Sequence, residues 1–168
     1  MDEHRIGLKP LRRRCWAGPG RRPIIPVEHR YAWLYVYGFV HPTSGRTFWL
    51  LMPTVSIPAF SAALHAFARF AQADSAAEIR LLVDRAGWHT SPKVDLPQGL
   101  RLWFLPPYSP ELQPAEHLWS LTDQPLTNRH FDSLDQLESV QGQRCNWLQD
   151  HPELVRSATC FHWWPAYA

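Results

Sequence analysis

Along the chain, apolar residues gather in short blocks divided by Pro- and Gly-rich turns. Tyr31–Val40 (YAWLYVYGFV) is rich in aromatic and β-branched residues, the composition of a strand. His41–Arg46 (HPTSGR) carries turn residues and Thr47–Val55 resumes the strand pattern, which predicts a hairpin. Pro58 opens Ala59–Ala73, where Phe60, Leu64, Phe67 and Phe70 recur at helical spacing, and Pro suits a first helical turn. Ile79–Asp84 (IRLLVD) and Leu100–Leu105 (LRLWFL) read as short strands. The first ends on a carboxylate, the second stops at Pro106-Pro107, and Gly87–Gly99 between them is loop-like. Helices are predicted from Pro114 through Leu121 and over Ser133–Leu148, where Leu134, Leu137, Val140 and Trp147 are spaced helically. This order of elements, with no repeat or low-complexity linker, predicts an α/β sheet with both hairpin and crossover connections.

Composition adds limits. At 168 residues the length fits one domain, and 45% hydrophobic against 19% charged residues excludes a disordered tail. Sixteen Pro argue for many turns rather than a helix bundle. Cys15, Cys145 and Cys160 form no CxxC pair and no disulfide framework, the usage of a reducing compartment rather than of a zinc site. Apolar stretches such as Phe48–Met52 are far below the ~20 residues of a membrane span. The opening Met-Asp-Glu-His-Arg has no apolar signal region, so a soluble cytoplasmic protein is expected.

The net charge of +2 conceals one local excess. Lys9, Arg12, Arg13, Arg14, Arg21 and Arg22 lie in a run without an acid, around the Gly18-Pro19-Gly20 turn and beside Trp16. Such a run suits a nucleic-acid backbone; a solvated loop is the plain alternative. Two acids stand out as well. Asp84 ends an apolar strand, the edge where α/β sheets gather their ligand sites, although an Asp near Gly87 also suits a turn. Glu116 falls at the third helical position if Pro114 is the first, where the helix dipole favours an ionised carboxylate and where an ordinary capping-box glutamate also sits. GxSxG, GxGxxG, GxxxxGK[ST] and HExxH are all absent, which leaves little support for a serine nucleophile, a phosphate-cradling loop or a zinc protease.

Met1–Leu8 (MDEHRIGL), Val83–His89 (VDRAGWH) and Phe104–Trp119 (FLPPYSPELQPAEHLW) together resemble the catalytic domain of transposases of the insertion sequence 630 group, in the mariner-like superfamily. The resemblance covers essentially the whole chain and implies an RNase H-like mixed sheet flanked by helices. It implies that Asp2, Asp84 and Glu116, with Glu111 as the fallback third acid, hold two Mg²⁺ or Mn²⁺ ions. Hard cations prefer carboxylate oxygens, and a pair about 4 Å apart can activate an attacking oxygen and stabilise a leaving one. In that family water makes the first attack at the element end and the freed 3′-hydroxyl then attacks target DNA, with no covalent protein–DNA intermediate. As ligands Asp84 and Glu116 are expected to have low pKa values, and without cations the like charges of the carboxylates crowd.

The resemblance also places His89 and Tyr108, with Trp88, at the site or on DNA, and Arg85 stands where the pattern has Asn. Only Met1 precedes Asp2, so the central first strand is expected to be largely missing, together with an upstream helix-turn-helix half. Open edges in mid-sheet are costly. A split transposase joined by frameshifting, or a remnant, accounts for this start; an inactive DNA-binding fragment and a stand-alone nuclease are the alternative functions. Residues 1–125 read as the catalytic core and 126–168 as a helical segment packed on it. The expected partners are element-end and target DNA, the upstream half and a second copy in a synaptic dimer, in a nucleoid-associated setting.

Overall fold

The computed structural model describes residues 1–26, 30–74 and 78–162. The strands are β1 (Asp2–Gly7), β2 (Trp33–His41), β3 (Arg46–Met52), β4 (Ile79–Val83) and β5 (Leu100–Phe104), and α1 (Ile57–Ala71) links β3 to β4. After β5, 3-10 turns at Pro110–Leu112 and Pro114–Leu118 lead into α2 (Trp119–Thr122), followed by α3 (Leu134–Gln149) and α4 (Pro152–Thr159).

β1, β2 and β3 form an antiparallel sheet, and β4 and β5 a parallel pair. The two meet where the Met1 ammonium donates to the Leu82 carbonyl at 2.7 Å. The strand expected to be largely missing is present over the six residues of β1, paired along its length with β2 from Asp2↔Gly38 to Gly7↔Trp33. Beside this bond, Met1 packs in one core with Leu81 and Val83 of β4.

β2 is buried on both faces because both its alternating sets of side chains are apolar. Leu34 and Val36 join Ile6, Leu118, Trp119, Leu137, Leu148 and Val155 in one core, against α2, α3 and α4. Tyr37 and Phe39 join Phe60, Leu64, Leu81 and Val83 in the other, against α1, with Phe39 stacked on Phe67 at 4.4 Å. The result is a mixed α/β arrangement with helices on both sides of the sheet. α1 begins on Ser56, whose hydroxyl accepts from the Ala59 N–H, and stops at Gln72 in the left-handed conformation. α3 begins the same way on Ser133, which accepts from the Gln136 N–H.

Two elements escape the hydrophobic pattern. In β1 (DEHRIG) only Ile6 is a large apolar residue, and the strand is held by its ladder to β2. α4 is only eight residues long, too brief for a periodicity to register, and is set by Val155 in the core and by its contact with the β2–β3 turn. At that turn Gly45 has φ +71°, and a Cβ there would lie 1.9 Å from the Pro152 carbonyl oxygen. Only glycine permits this approach. Gly45→Ala combines left-handed strain with displacement of α4. It is expected to cost about 2–4 kcal/mol in urea unfolding, against about 1–2 kcal/mol for the backbone strain alone.

Candidate metal and nucleic-acid site

Three separate segments converge at the seam between the sheets. β1 supplies Asp2, which is 9% exposed and takes a hydrogen bond at Oδ2 from the Trp119 indole at 3.0 Å. The indole reaches it because Asp2 pairs with Gly38, where a Cβ would meet the Trp119 ring at 2.9 Å. Asp84 follows the last residue of β4 with its side chain 55% exposed, and its Oδ1 accepts from the Ala86 N–H at 3.0 Å. Asp84 therefore does form the local turn, and still presents a carboxylate at a strand end. Glu116 is exposed on the 3-10 turn Pro114–Leu118, and no side-chain cap bond forms there, so the capping-box alternative is not realised. Gln113 instead donates through Nε2 to the Met1 carbonyl at 2.7 Å, tying this turn to the start of β1.

The acids act on one another. Burial, then the charges of Asp2 and Asp84, raise the Glu116 carboxyl above its ordinary value, with His4 opposing. Burial, with help from Glu3, raises Asp2 against the Trp119 hydrogen bond. The low value expected of Glu116 as a cation ligand is not what its own surroundings produce, because desolvation, then like charge, raises it among the protein's own groups. Glu111 lies exposed in the preceding 3-10 turn and is not among the groups acting on Glu116.

Among the described residues no three His, Cys, Asp or Glu side chains close into a metal-holding group. The donor chemistry nevertheless fits a hard divalent cation: three carboxylates, all oxygen donors, two of them raised by burial and then by neighbouring negative charge, which a cation offsets.

Sequence reasoning missed Glu3. Its side chain is 4% exposed and its two oxygens lie 3.0 and 3.1 Å from His89 Nε2. His89 Nδ1 is 2.6 Å from Asp84 Oδ1. Burial lowers the His89 pKa, but the hydrogen bond and charge of Glu3, then Asp84, outweigh it and raise the value. The expectation that His89 touches DNA is corrected here: the residue is 2% exposed, and its ring packs on Phe60 at 4.5 Å. The only signal for Glu3 was its place beside Asp2 on a strand, where alternation sends neighbours to opposite faces. Arg85 turns to β5, donating from Nε to the Leu105 carbonyl at 3.2 Å and lying over Phe104. Tyr108 is fully exposed and has φ +56°.

Lys9, Arg12, Arg13, Arg14, Arg21 and Arg22 are all exposed, as is Trp16. The Gly18-Pro19-Gly20 turn forms, closed by the Arg21 N–H on the Gly18 carbonyl at 3.0 Å. Leu11 bridges to Thr127, and the Arg13 N–H donates to Asn128 Oδ1 at 3.0 Å. The Arg13 guanidinium reaches Asp123 at 3.6 Å. Asp123 also meets His4 Nε2 at 3.0 Å, and the His4 ring stacks on Trp119 at 4.9 Å. The run is thereby anchored, through side chains in contact, to the indole that holds Asp2.

Residues 1–138 match the DDE superfamily endonuclease family. A protein of Sinorhizobium fredii (strain NBRC 101917 / NGR234), the uncharacterized protein y4pE/y4sA, is 35% identical over 132 residues, 78% of this chain and 96% of that one. Among solved structures, a Mos1 transposase paired-end complex with the left transposon end is similar with TM-score 0.57 and 17% identity, over 94% of this chain and 54% of that chain. A Mos1 mariner paired-end complex with Mn is similar with TM-score 0.58 and 20% identity, over 95% and 55%. At these identities the likeness is one of fold, the expected RNase H-like mixed sheet, and the chain spans about half the length of the Mos1 chains. Among the described residues no helix is long and apolar enough to cross a membrane.

The raised carboxyls carry a stability consequence with a definite sign. Asp2 and Glu116 bind protons more tightly folded than unfolded, so their contribution is full at low pH and is lost as pH rises through their folded values. In melts of the chain at pH 8, Mg²⁺ at about a hundred times its Kd is expected to raise Tm by roughly 5 °C or more. At pH 4 the gain should vanish.

Proposed function

Since the chain belongs to the DDE superfamily endonuclease family, we propose that it is the catalytic domain of an insertion-sequence transposase, cutting DNA strands and joining them to new DNA with two divalent cations, Mg²⁺ or Mn²⁺. The observation that favours this reading is that Asp2, Asp84 and Glu116 stand on three segments tied together at one seam, where Met1 donates to Leu82, Gln113 to Met1 and Trp119 to Asp2. When bound, the cations supply positive charge that activates the attacking oxygen and stabilises the leaving one.

The chain's own residues divide the remaining work. Asp2, Asp84 and Glu116 are the cation ligands. Trp119 fixes Asp2 through its indole N–H, and Gln113 ties the Glu116 turn to the same strand. Lys9, Arg12, Arg13, Arg14, Arg21 and Arg22 contact phosphates, and exposed Tyr108 offers a ring to a base or sugar. Residues 1–125 form the catalytic core in this reading, with the segment from 126 laid against it through α3 and α4; residues 163–168 of that segment lie outside the described residues. An upstream helix-turn-helix half supplies recognition of the element ends, and a second copy completes the synaptic complex in the cell's nucleoid.

Incubating the chain with supercoiled plasmid and Mg²⁺ or Mn²⁺ tests the cutting step, and a labelled oligonucleotide with a free 3′-hydroxyl tests joining. Asp84→Asn and Glu116→Gln are each expected to reduce nicking at least about a hundredfold, on the scale of removing a charge-stabilising group from a reacting centre. Nicking by these variants at the wild-type rate overturns the assignment of the acids. Salt-sensitive DNA binding without any nicking favours a DNA-binding remnant. Replacing Arg12, Arg13 and Arg14 together by Gln is expected to weaken DNA binding and to flatten the slope of log K against log salt by roughly 2.7, if each contacts one phosphate.

A further inference from the structure

Glu3 has no task in the reading above, yet its carboxylate is almost wholly removed from solvent. Burying charge is a poor route to stability: replacing a buried ion pair by apolar residues is often neutral or stabilising. The geometry around it is directional. An ionised carboxylate only accepts hydrogen bonds, and a neutral imidazole carries a single N–H. His89 faces a carboxylate at each ring nitrogen, Asp84 at Nδ1 at 2.6 Å and Glu3 at Nε2 at 3.0 Å, so the ring bridges the two and Glu3 sets the end opposite Asp84. Phe60 and Trp88 pack against the ring at 4.5 and 5.6 Å and fix its plane.

The consequence falls on Asp84. Its hydrogen bonds from the His89 ring at 2.6 Å and the Ala86 N–H at 3.0 Å both land on Oδ1. Oδ2, on a side chain that is 55% exposed, is left as the oxygen available to a cation.

We propose that Glu3 and His89 are positioning residues: a buried carboxylate–imidazole pair that locks Asp84 through Oδ1 and presents Oδ2 to a divalent cation. The inference rests on Asp84 being a cation ligand. It predicts that a change at Glu3, on the opposite face of β1 from Asp2, alters cation affinity without removing any ligand.

The test measures Mn²⁺ binding to the full chain by electron paramagnetic resonance of the free ion, alongside thermal melts. Glu3→Gln is expected to keep a cooperative melt and to bind Mn²⁺ roughly tenfold to a hundredfold more weakly, the usual loss when a group supporting a ligand is removed. Wild-type affinity in a folded Glu3→Gln protein overturns the proposal and leaves the pair a packing feature. If Glu3→Gln does not fold, the wild-type chain decides: Mg²⁺ should shift the His89 Nδ1–H resonance, and should not do so in Asp84→Asn. An unmoved resonance overturns the proposal. The underlying assignment fails separately, and takes the positioning role with it, if the wild type binds no Mn²⁺ or Asp84→Asn binds it as tightly.

Discussion

A carboxylate on a buried strand has to be held by something, and the hydrogen bond from the Trp119 indole to Asp2 is what much of this structure is arranged to provide. The ring lies where Gly38 leaves no side chain, it stacks on His4, and its body belongs to the core that β1 and β2 share with α2, α3 and α4. Trp119 itself opens α2, directly after the 3-10 turn that bears Glu116. One indole thus ties the acid of the first strand to the segment carrying another, and burial of its apolar body fixes both. A Phe in its place fills most of the space but leaves Asp2 without this donor, a larger loss than the lost area implies.

Most of the fold can be read from the chain because most of its elements obey their periodicities. The predicted hairpin Tyr31–Val40 and Thr47–Val55 forms as Trp33–His41 and Arg46–Met52, and the predicted helix Ala59–Ala73 forms as Ile57–Ala71, started early by the Ser56 cap. The Ile79–Asp84 block becomes β4 with its acid just past the end. The pattern fails at β1, where Ile6 is the one large apolar residue and the ladder to β2, rather than an apolar face, sets the strand in place. The Pro114 segment is helical as expected, but starts as a 3-10 turn before the α2 hydrogen bonds take over.

At the site the limits are of another kind. Asp2, Asp84 and Glu116 are recognisable from motif context, since each stands in a distinctive block. Glu3 and the burial of His89 are not, because a strand's alternation separates neighbours onto opposite faces and only the folded chain says which face meets which loop. The same holds for the pKa directions. Spacing along the chain cannot convey how much water Asp2 loses or that Asp84 lies near enough to act on Glu116.

The tether of the basic run has a geometric corollary. The Leu11–Thr127 bridge and the Asn128 contacts hold the backbone at Arg13, while Arg21 and Arg22 lie further along the chain past the Gly18 turn. Nine residues on from that anchor, an extended chain reaches at most roughly 30 Å. The anchored residue is linked through Asp123, His4 and Trp119 to the acid on β1, so the start of the run and Asp2 keep a fixed relation while the cations beyond the Gly18 turn are held only by the chain between.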